Sequence, residues 1–95
     1  MAAPEASYQI NPDYGKPRIT WKAVKGAEYY EVWRSEAGGE YVKMWTTKGL
    51  TYTNTSAEAG VNYSYIVKAF AENMESAFSN VVEVAMGLKT PEASW

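Results

Sequence analysis

The sequence predicts an all-β fold, a seven-stranded sandwich of two antiparallel sheets, and three observations support this. The 95 residues include 4 Trp, 8 Tyr and 2 Phe, and aromatic residues favour half-buried pleated surfaces. Turn signals recur at short intervals, and the segments between them alternate apolar with polar residues. Apolar residues do not recur at helical spacing over a useful length. Many short strands separated by turns are typical of a sandwich.

Turn signals bound each predicted strand. Asn-Pro-Asp ends the first strand, a Lys-Gly pair ends the second, and a Gly-Gly pair separates the third from the fourth. A further Lys-Gly pair precedes the fifth strand, an Ala-Gly pair precedes the sixth, and a polar Glu-Asn-Met-Glu stretch lies after it. The seven predicted strands are, in chain order, Glu5–Ile10, Arg18–Val24, Glu28–Ser35, Tyr41–Thr47, Thr51–Asn54, Asn62–Glu72 and Ser79–Met86.

Alternation within these strands assigns the core. Successive side chains of a strand point to opposite faces, and Lys and Arg are almost never fully buried, so the face opposite them is predicted to point inward. The predicted core consists of Trp21, Tyr30, Val32, Tyr63, Tyr65, Val67, Val82 and Val84. A chain of this length has room for one such core, and without cysteine no disulfide can support it.

Four stretches of these strands resemble the fibronectin type III domain, which is an immunoglobulin-like β-sandwich. They are Ile19–Trp21, Tyr29–Ser35, residues 59–69 and Ser76–Val82, and the similarity extends from Pro4 to Met86. The resemblance implies that Tyr63 forms a tyrosine corner, with its ring in the core and its hydroxyl bonded to backbone near Ala57. The sequence departs from the family pattern before Gly60, where Ala57 and Ala59 stand in place of a leucine and a proline.

The stretch from Trp21 to Ser35 is similar to bacterial versions of this domain, which occur as tandem spacers in secreted and cell-surface proteins. Those proteins often carry glycan-degrading or adhesive domains as well. The resemblance therefore implies a bacterial protein that is secreted or displayed on the cell surface.

A short repeat agrees with a tandem arrangement. Pro4–Ser7 reads Pro-Glu-Ala-Ser and returns as Pro91–Ser94, each time followed by an aromatic residue. The offset is 91 − 4 = 87 residues, close to the length of one fibronectin type III repeat. We therefore assign residues 1–88 to one domain and residues 89–95 to a linker and the truncated start of a following repeat.

The composition argues against several classes of function. The absence of histidine and cysteine removes most nucleophile, general-base and metal-ligand arrangements, and the one Asp and ten Glu are scattered. We therefore expect no enzyme, cofactor or metal site. A net charge of −2 argues against nucleic-acid binding. No apolar run approaches the roughly 20 residues that span a bilayer, so no membrane insertion is expected. The isolated domain is expected to be monomeric.

One surface feature suggests a ligand. Five apolar residues are predicted to face outward on the sheet that contains the third, fourth, sixth and seventh strands: Tyr29, Trp33, Trp45, Ile66 and Phe70. Such a stripe can bind a glycan or a protein partner. It can equally be cross-strand pairing that stiffens the sheet, with the stems of Lys43 and Lys68 covering the rings.

The sequence thus favours a non-catalytic module that spaces or presents neighbouring domains of the same chain. The alternative is a glycan- or protein-binding module that uses the aromatic stripe. The spacer is preferred because isolated exposed apolar residues are normal on protein surfaces.

Overall fold

The computed structural model describes residues 1–10, 15–58 and 60–85, and its strands form two antiparallel sheets. The strands in this part of the chain are β1 (Ala6–Ile10), β2 (Pro17–Trp21), β3 (Tyr29–Glu36), β4 (Tyr41–Thr47), β5 (Thr51–Thr53), β6 (Asn62–Ala71), β7 (Met74–Glu75) and β8 (Val82–Ala85). One sheet has the order β1-β2-β5. In the other, β4, β3 and β6 follow in order, and both β7 and β8 pair with β6. The predicted all-β sandwich is confirmed. The proposed linker and truncated repeat, residues 89–95, lie outside the described residues.

The core lies between the inner faces of the two sheets. All eight residues that alternation assigned to the core are buried, and Ile19, Ala57 and Ala69 join them. Trp21 and Tyr30 pack from opposite sheets, with ring centroids 5.7 Å apart. The predicted second strand extended to Val24, but β2 ends at Trp21. Val24 is nevertheless buried as part of the core cluster, and its backbone N–H donates to the Tyr30 hydroxyl at 2.9 Å.

Two buried tyrosine hydroxyls of β6 fix the connection that leads into this strand. As the resemblance implies, the Tyr63 hydroxyl bonds to backbone beside Ala57, where it accepts the Glu58 N–H at 3.0 Å. The Tyr65 hydroxyl accepts a hydrogen bond of 2.7 Å from the side-chain amide of Asn54, which is only 1% exposed. The two tyrosine hydroxyls and the Asn54 side-chain amide therefore have hydrogen-bond partners, as burial requires.

The final strand differs most from the prediction. A strand was predicted from Ser79, but β8 begins at Val82, and a short strand, β7, precedes it. The segment between them is held to β6 by two serines. Ser76 donates its backbone N–H to the Ala69 carbonyl and accepts the Ala69 N–H on its hydroxyl, both at 2.9 Å.

Ser79 repeats this arrangement at Val67. Its N–H donates to the Val67 carbonyl at 2.7 Å, and its hydroxyl accepts the Val67 N–H at 2.9 Å. The two buried hydroxyls thus replace the carbonyls that a continuous strand would supply. We call Ser76–Val81 the serine segment.

Removal of one of these hydroxyls should destabilise the domain. In Ser79→Ala, the buried Val67 N–H loses its acceptor, so we expect the free energy of unfolding to fall by about 1–3 kcal/mol. The measurement is urea denaturation followed by circular dichroism. Ser7→Ala, at an exposed position of β1, is the matched control and should change stability by less than about 0.5 kcal/mol. Equal stabilities of the two variants would contradict the assigned role.

The stability of the domain should also decrease in alkali. Burial raises the pKa of Tyr65 to about 12, although the Asn54 hydrogen bond and the Arg34 charge act in the opposite direction. The unfolded phenol titrates near pH 10, so the stabilisation is complete below about pH 10 and is lost as the pH rises towards 12. The urea midpoint should therefore fall across this interval, and less steeply in Tyr65→Phe. The prediction would be contradicted if the tyrosinate absorbance that is lost in Tyr65→Phe titrated with a pKa near 10.

Candidate functional site

The outer face of the larger sheet carries four aromatic rings that pair with one another. The Tyr29 and Phe70 rings lie opposite each other on β3 and β6 and stack with centroids 5.1 Å apart and planes 4° apart. The Trp33 ring meets Phe78 edge-on, with centroids 6.0 Å apart. Such geometries are the favourable ones for aromatic pairs. Phe78 was not among the predicted site residues, since its place between two serines in an irregular segment gives no alternation signal.

Charged side chains cover part of this face. The Lys68 ammonium lies 4.9 Å from the Phe78 centroid and 5.7 Å from that of Phe70, and it forms an ion pair with Glu75. Glu31 accepts a hydrogen bond of 3.1 Å from the Trp33 indole N–H and lies 3.7 Å from the Lys43 ammonium. The rings and their polar edges therefore find partners within the domain.

Ile66 was predicted to be exposed on this face, but it is only 8% exposed. It lies opposite Trp33 in the pairing of β3 with β6, and it does face away from the core because its neighbours Tyr65 and Val67 face inward. We attribute its burial to the layer of large side chains around it on this face. Ile66 is thus not available as a ligand contact.

Trp45 was predicted to lie on the same face as Trp33, and this was also wrong. The pairing Ser35↔Tyr41 fixes the register after the turn, and with that register Trp45 would stand opposite Glu31, on the outer face. A β-bulge between Val32 and Trp33 adds one residue to β4, so that Trp45 pairs with Val32 instead. A shift of one residue turns a side chain to the opposite face of a sheet.

The Trp45 side chain therefore lies on the inner side of β4, at the open edge of the sandwich. Trp45 is 51% exposed, and its ring approaches Tyr52 of the opposite sheet, with centroids 6.1 Å apart and planes tilted by 37°. β4 and β5 are edge strands of their respective sheets, and a cleft of about 370 Å³ lies between them. It is lined by Trp45, Thr51, Tyr52, Thr53 and Thr55. We call this the edge cleft.

The Arg34 charge near the edge cleft is already engaged. Burial raises the pKa of Tyr52, and the nearby Arg34 charge partly opposes this. The Arg34 guanidinium lies 5.1 Å from the centroid of the Tyr63 ring and 3.3 Å from a Glu36 carboxylate oxygen. Arg34 thus interacts with an anion and a ring outside the set of residues that lines the cleft.

The described ranges 1–10, 15–58 and 60–85 contain no group of three or more His, Cys, Asp or Glu side chains that could hold a metal ion. No helix within the same ranges is long and apolar enough to cross a membrane.

Several solved structures are similar to this chain, although no family model matches its sequence and no curated protein does. An Fn3-like protein from Clostridium thermocellum is 27% identical, with coverage of 99% of this chain and 94% of that chain and a TM-score of 0.69. The sixth fibronectin type III domain of human fibronectin type III domain containing protein 3 is 15% identical, with coverage of 99% and 90% and a TM-score of 0.76.

A third similar structure belongs to a longer protein. Pectate lyase Pel3 from Pectobacterium carotovorum is 16% identical, and the match covers 95% of this chain but 28% of that chain, with a TM-score of 0.73. In that pectate lyase, the matched region is therefore a small part of a much longer chain.

The tryptophans of β3 and β4 should differ in their effect on stability. In Trp33→Ala the edge-on contact with Phe78 and the hydrogen bond to Glu31 are lost, so we expect a loss of about 2 kcal/mol in the free energy of unfolding. In Trp45→Ala a half-exposed ring is removed, and the loss should stay below about 1 kcal/mol. Urea denaturation measures both. A larger loss for Trp45→Ala would show that its ring serves mainly to close the sandwich.

Proposed function

Since the chain has the fibronectin type III fold, we propose that it is a non-catalytic structural module, one repeat of a tandem array in a larger extracellular bacterial protein. Its role is to space or present the neighbouring domains, which are its partners in the same chain. The recurrence of Pro-Glu-Ala-Ser at an offset of 87 residues (91 − 4) supports the array. The similar structures from two bacteria, one of them a pectate lyase in which the match covers 28% of the chain, support the modular, bacterial context.

The observation that carries this proposal is the attachment of the N-terminal strand to both sheets. β1 pairs along its length with β2. On its other edge, the Asn80 side-chain amide donates to the Ala6 carbonyl and accepts the Ala6 N–H, both at 2.9 Å. Asn80 belongs to the serine segment, which is itself bonded to β6 of the second sheet. A strand held on both edges leaves the body of the domain in a fixed direction, as a stiff spacer requires.

The paired outer face supports the same proposal. The sequence predicted a glycan- or protein-binding stripe that consists of Tyr29, Trp33, Trp45, Ile66 and Phe70. These residues do not form one surface, because Ile66 is buried and Trp45 lies elsewhere. The remaining three rings contact each other, Phe78 or Lys68. Rings engaged in this way stiffen a sheet.

The proposal can be tested with a protein of two repeats. Residues 1–90 are followed directly by residues 4–86 of a second copy, which preserves the offset of 87 residues (91 − 4). NMR relaxation should show that the pair tumbles as one elongated body, because a linker of about four residues allows little independent motion. The matched control carries about eight additional Gly and Ser residues after Thr90, and its two copies should tumble more independently.

A second variant tests the attachment itself. Asn80→Ala in both copies removes two hydrogen bonds of Ala6. This variant should bring the tumbling of the direct pair closer to that of the control. If the direct pair and the control tumble alike from the outset, the spacer function is wrong.

A further inference from the structure

The edge cleft has the composition of a small-ligand site. Its volume of about 370 Å³ falls at the lower end of the range for such sites, which combine aromatic walls with a few polar groups. Its lining consists of two aromatic rings and three threonines, and none of these side chains carries a charge at neutral pH. The half-exposed Trp45 ring is the largest apolar surface in it.

The backbone of β5 adds polar groups to this lining. The Leu50 carbonyl accepts the Trp21 N–H, and the Asn54 N–H donates to the Pro17 carbonyl, both at 3.0 Å, so these positions point towards β2. Backbone groups of an edge strand alternate in direction. The N–H and C=O groups of Thr51 and Thr53 therefore point away from β2, towards the open edge of the sandwich.

We propose that the edge cleft binds a neutral saccharide. A pyranose ring has an apolar face of C–H groups that stacks on the Trp45 indole, and it has hydroxyls around its rim. These hydroxyls pair with the outward backbone groups of Thr51 and Thr53 and with the Thr55 hydroxyl. This combination of a flat apolar face with surrounding donors and acceptors fits the exposed indole and the edge backbone groups of the cleft.

Two other ligand classes fit less well. An acidic saccharide needs a cation, but no cationic residue lines the cleft, and the Arg34 guanidinium that acts on Tyr52 lies beside the Glu36 carboxylate and over the Tyr63 ring. A peptide strand added to β5 would lie about 4.8 Å from it. The Trp45 and Tyr52 rings meet across this edge, 6.1 Å apart, and obstruct that position. The cleft therefore favours a neutral saccharide over both.

The test is an NMR titration of the 95-residue chain, labelled with ¹⁵N, against neutral hexasaccharides of glucose, xylose and mannose up to millimolar concentration. At least one hexasaccharide should shift the Trp45 indole N–H and the amides of Thr51, Thr53 and Thr55 in a saturable way. The Trp21 indole N–H is buried and should stay in place. The absence of saturable shifts with all three hexasaccharides overturns the proposal.

Variants assign the binding energy to the cleft. Trp45→Ala should weaken binding by roughly tenfold or more, as truncation of an aromatic anchor does. Tyr41→Ala is the matched control, because Tyr41 is an exposed aromatic residue on the opposite side of the same strand, and it should bind as the parent does. If Trp45→Ala does not fold, Thr55→Val replaces it. Unchanged affinity in the variants that fold overturns the assignment.

Two further probes distinguish the competing ligand classes. A galacturonate hexasaccharide that binds as tightly as the best neutral one would show that charge is not discriminated, and the neutral class would be wrong. A six-residue peptide of alternating Thr and Val that shifts the β5 amides, when no saccharide does, would identify strand addition instead. The proposal does not depend on the spacer function, since the tumbling of the two-repeat protein and the saccharide titration report separate properties.

Discussion

The structure depends on the hydrogen-bond demands of β6. This strand is buried along most of its length, so every N–H and C=O on both of its edges needs a partner. On one edge β3 supplies them in an unbroken register. On the other edge three different elements share the task, namely β7, the serine segment and β8. The two serines allow the chain to leave the regular strand geometry between β7 and β8 without leaving buried backbone groups unpaired.

That departure organises the surface on both sides of the sheet. Because the serine segment bends away from a regular strand, Phe78 lies beside Trp33 and Lys68 on the outer face. In the same segment Asn80 reaches Ala6 and joins the two sheets at one side of the sandwich. The opposite side has no such bond between strands in the described part of the chain. There the contact between the Trp45 and Tyr52 rings spans the gap from β4 to β5.

Much of this fold follows from the sequence because burial imposes a simple period on strands. Alternation placed Tyr30, Val32, Tyr63 and Val84 on the inner faces, where they are buried. The features that alternation missed are those that interrupt the period. The bulge beside Val32 has no marker such as glycine at that point, and the hydroxyl-to-backbone bonds of the serine segment depend on contacts with a strand that lies far away in sequence. Ile66 was misjudged for another reason, since the covering of an outward side chain depends on neighbours from other strands.

The bulge in β4 also has a meaning for comparison among related domains. It decides which side of the sheet receives Trp45, yet it is a difference in pairing register and not in residue type. A relative with the same residues but without the bulge would pair this tryptophan with the residue at the Glu31 position and present it on the outer face. Two domains can therefore share every aromatic residue and differ in the pocket they offer. A shift of pairing register within an edge strand is then a direct route by which such domains gain or lose a binding surface.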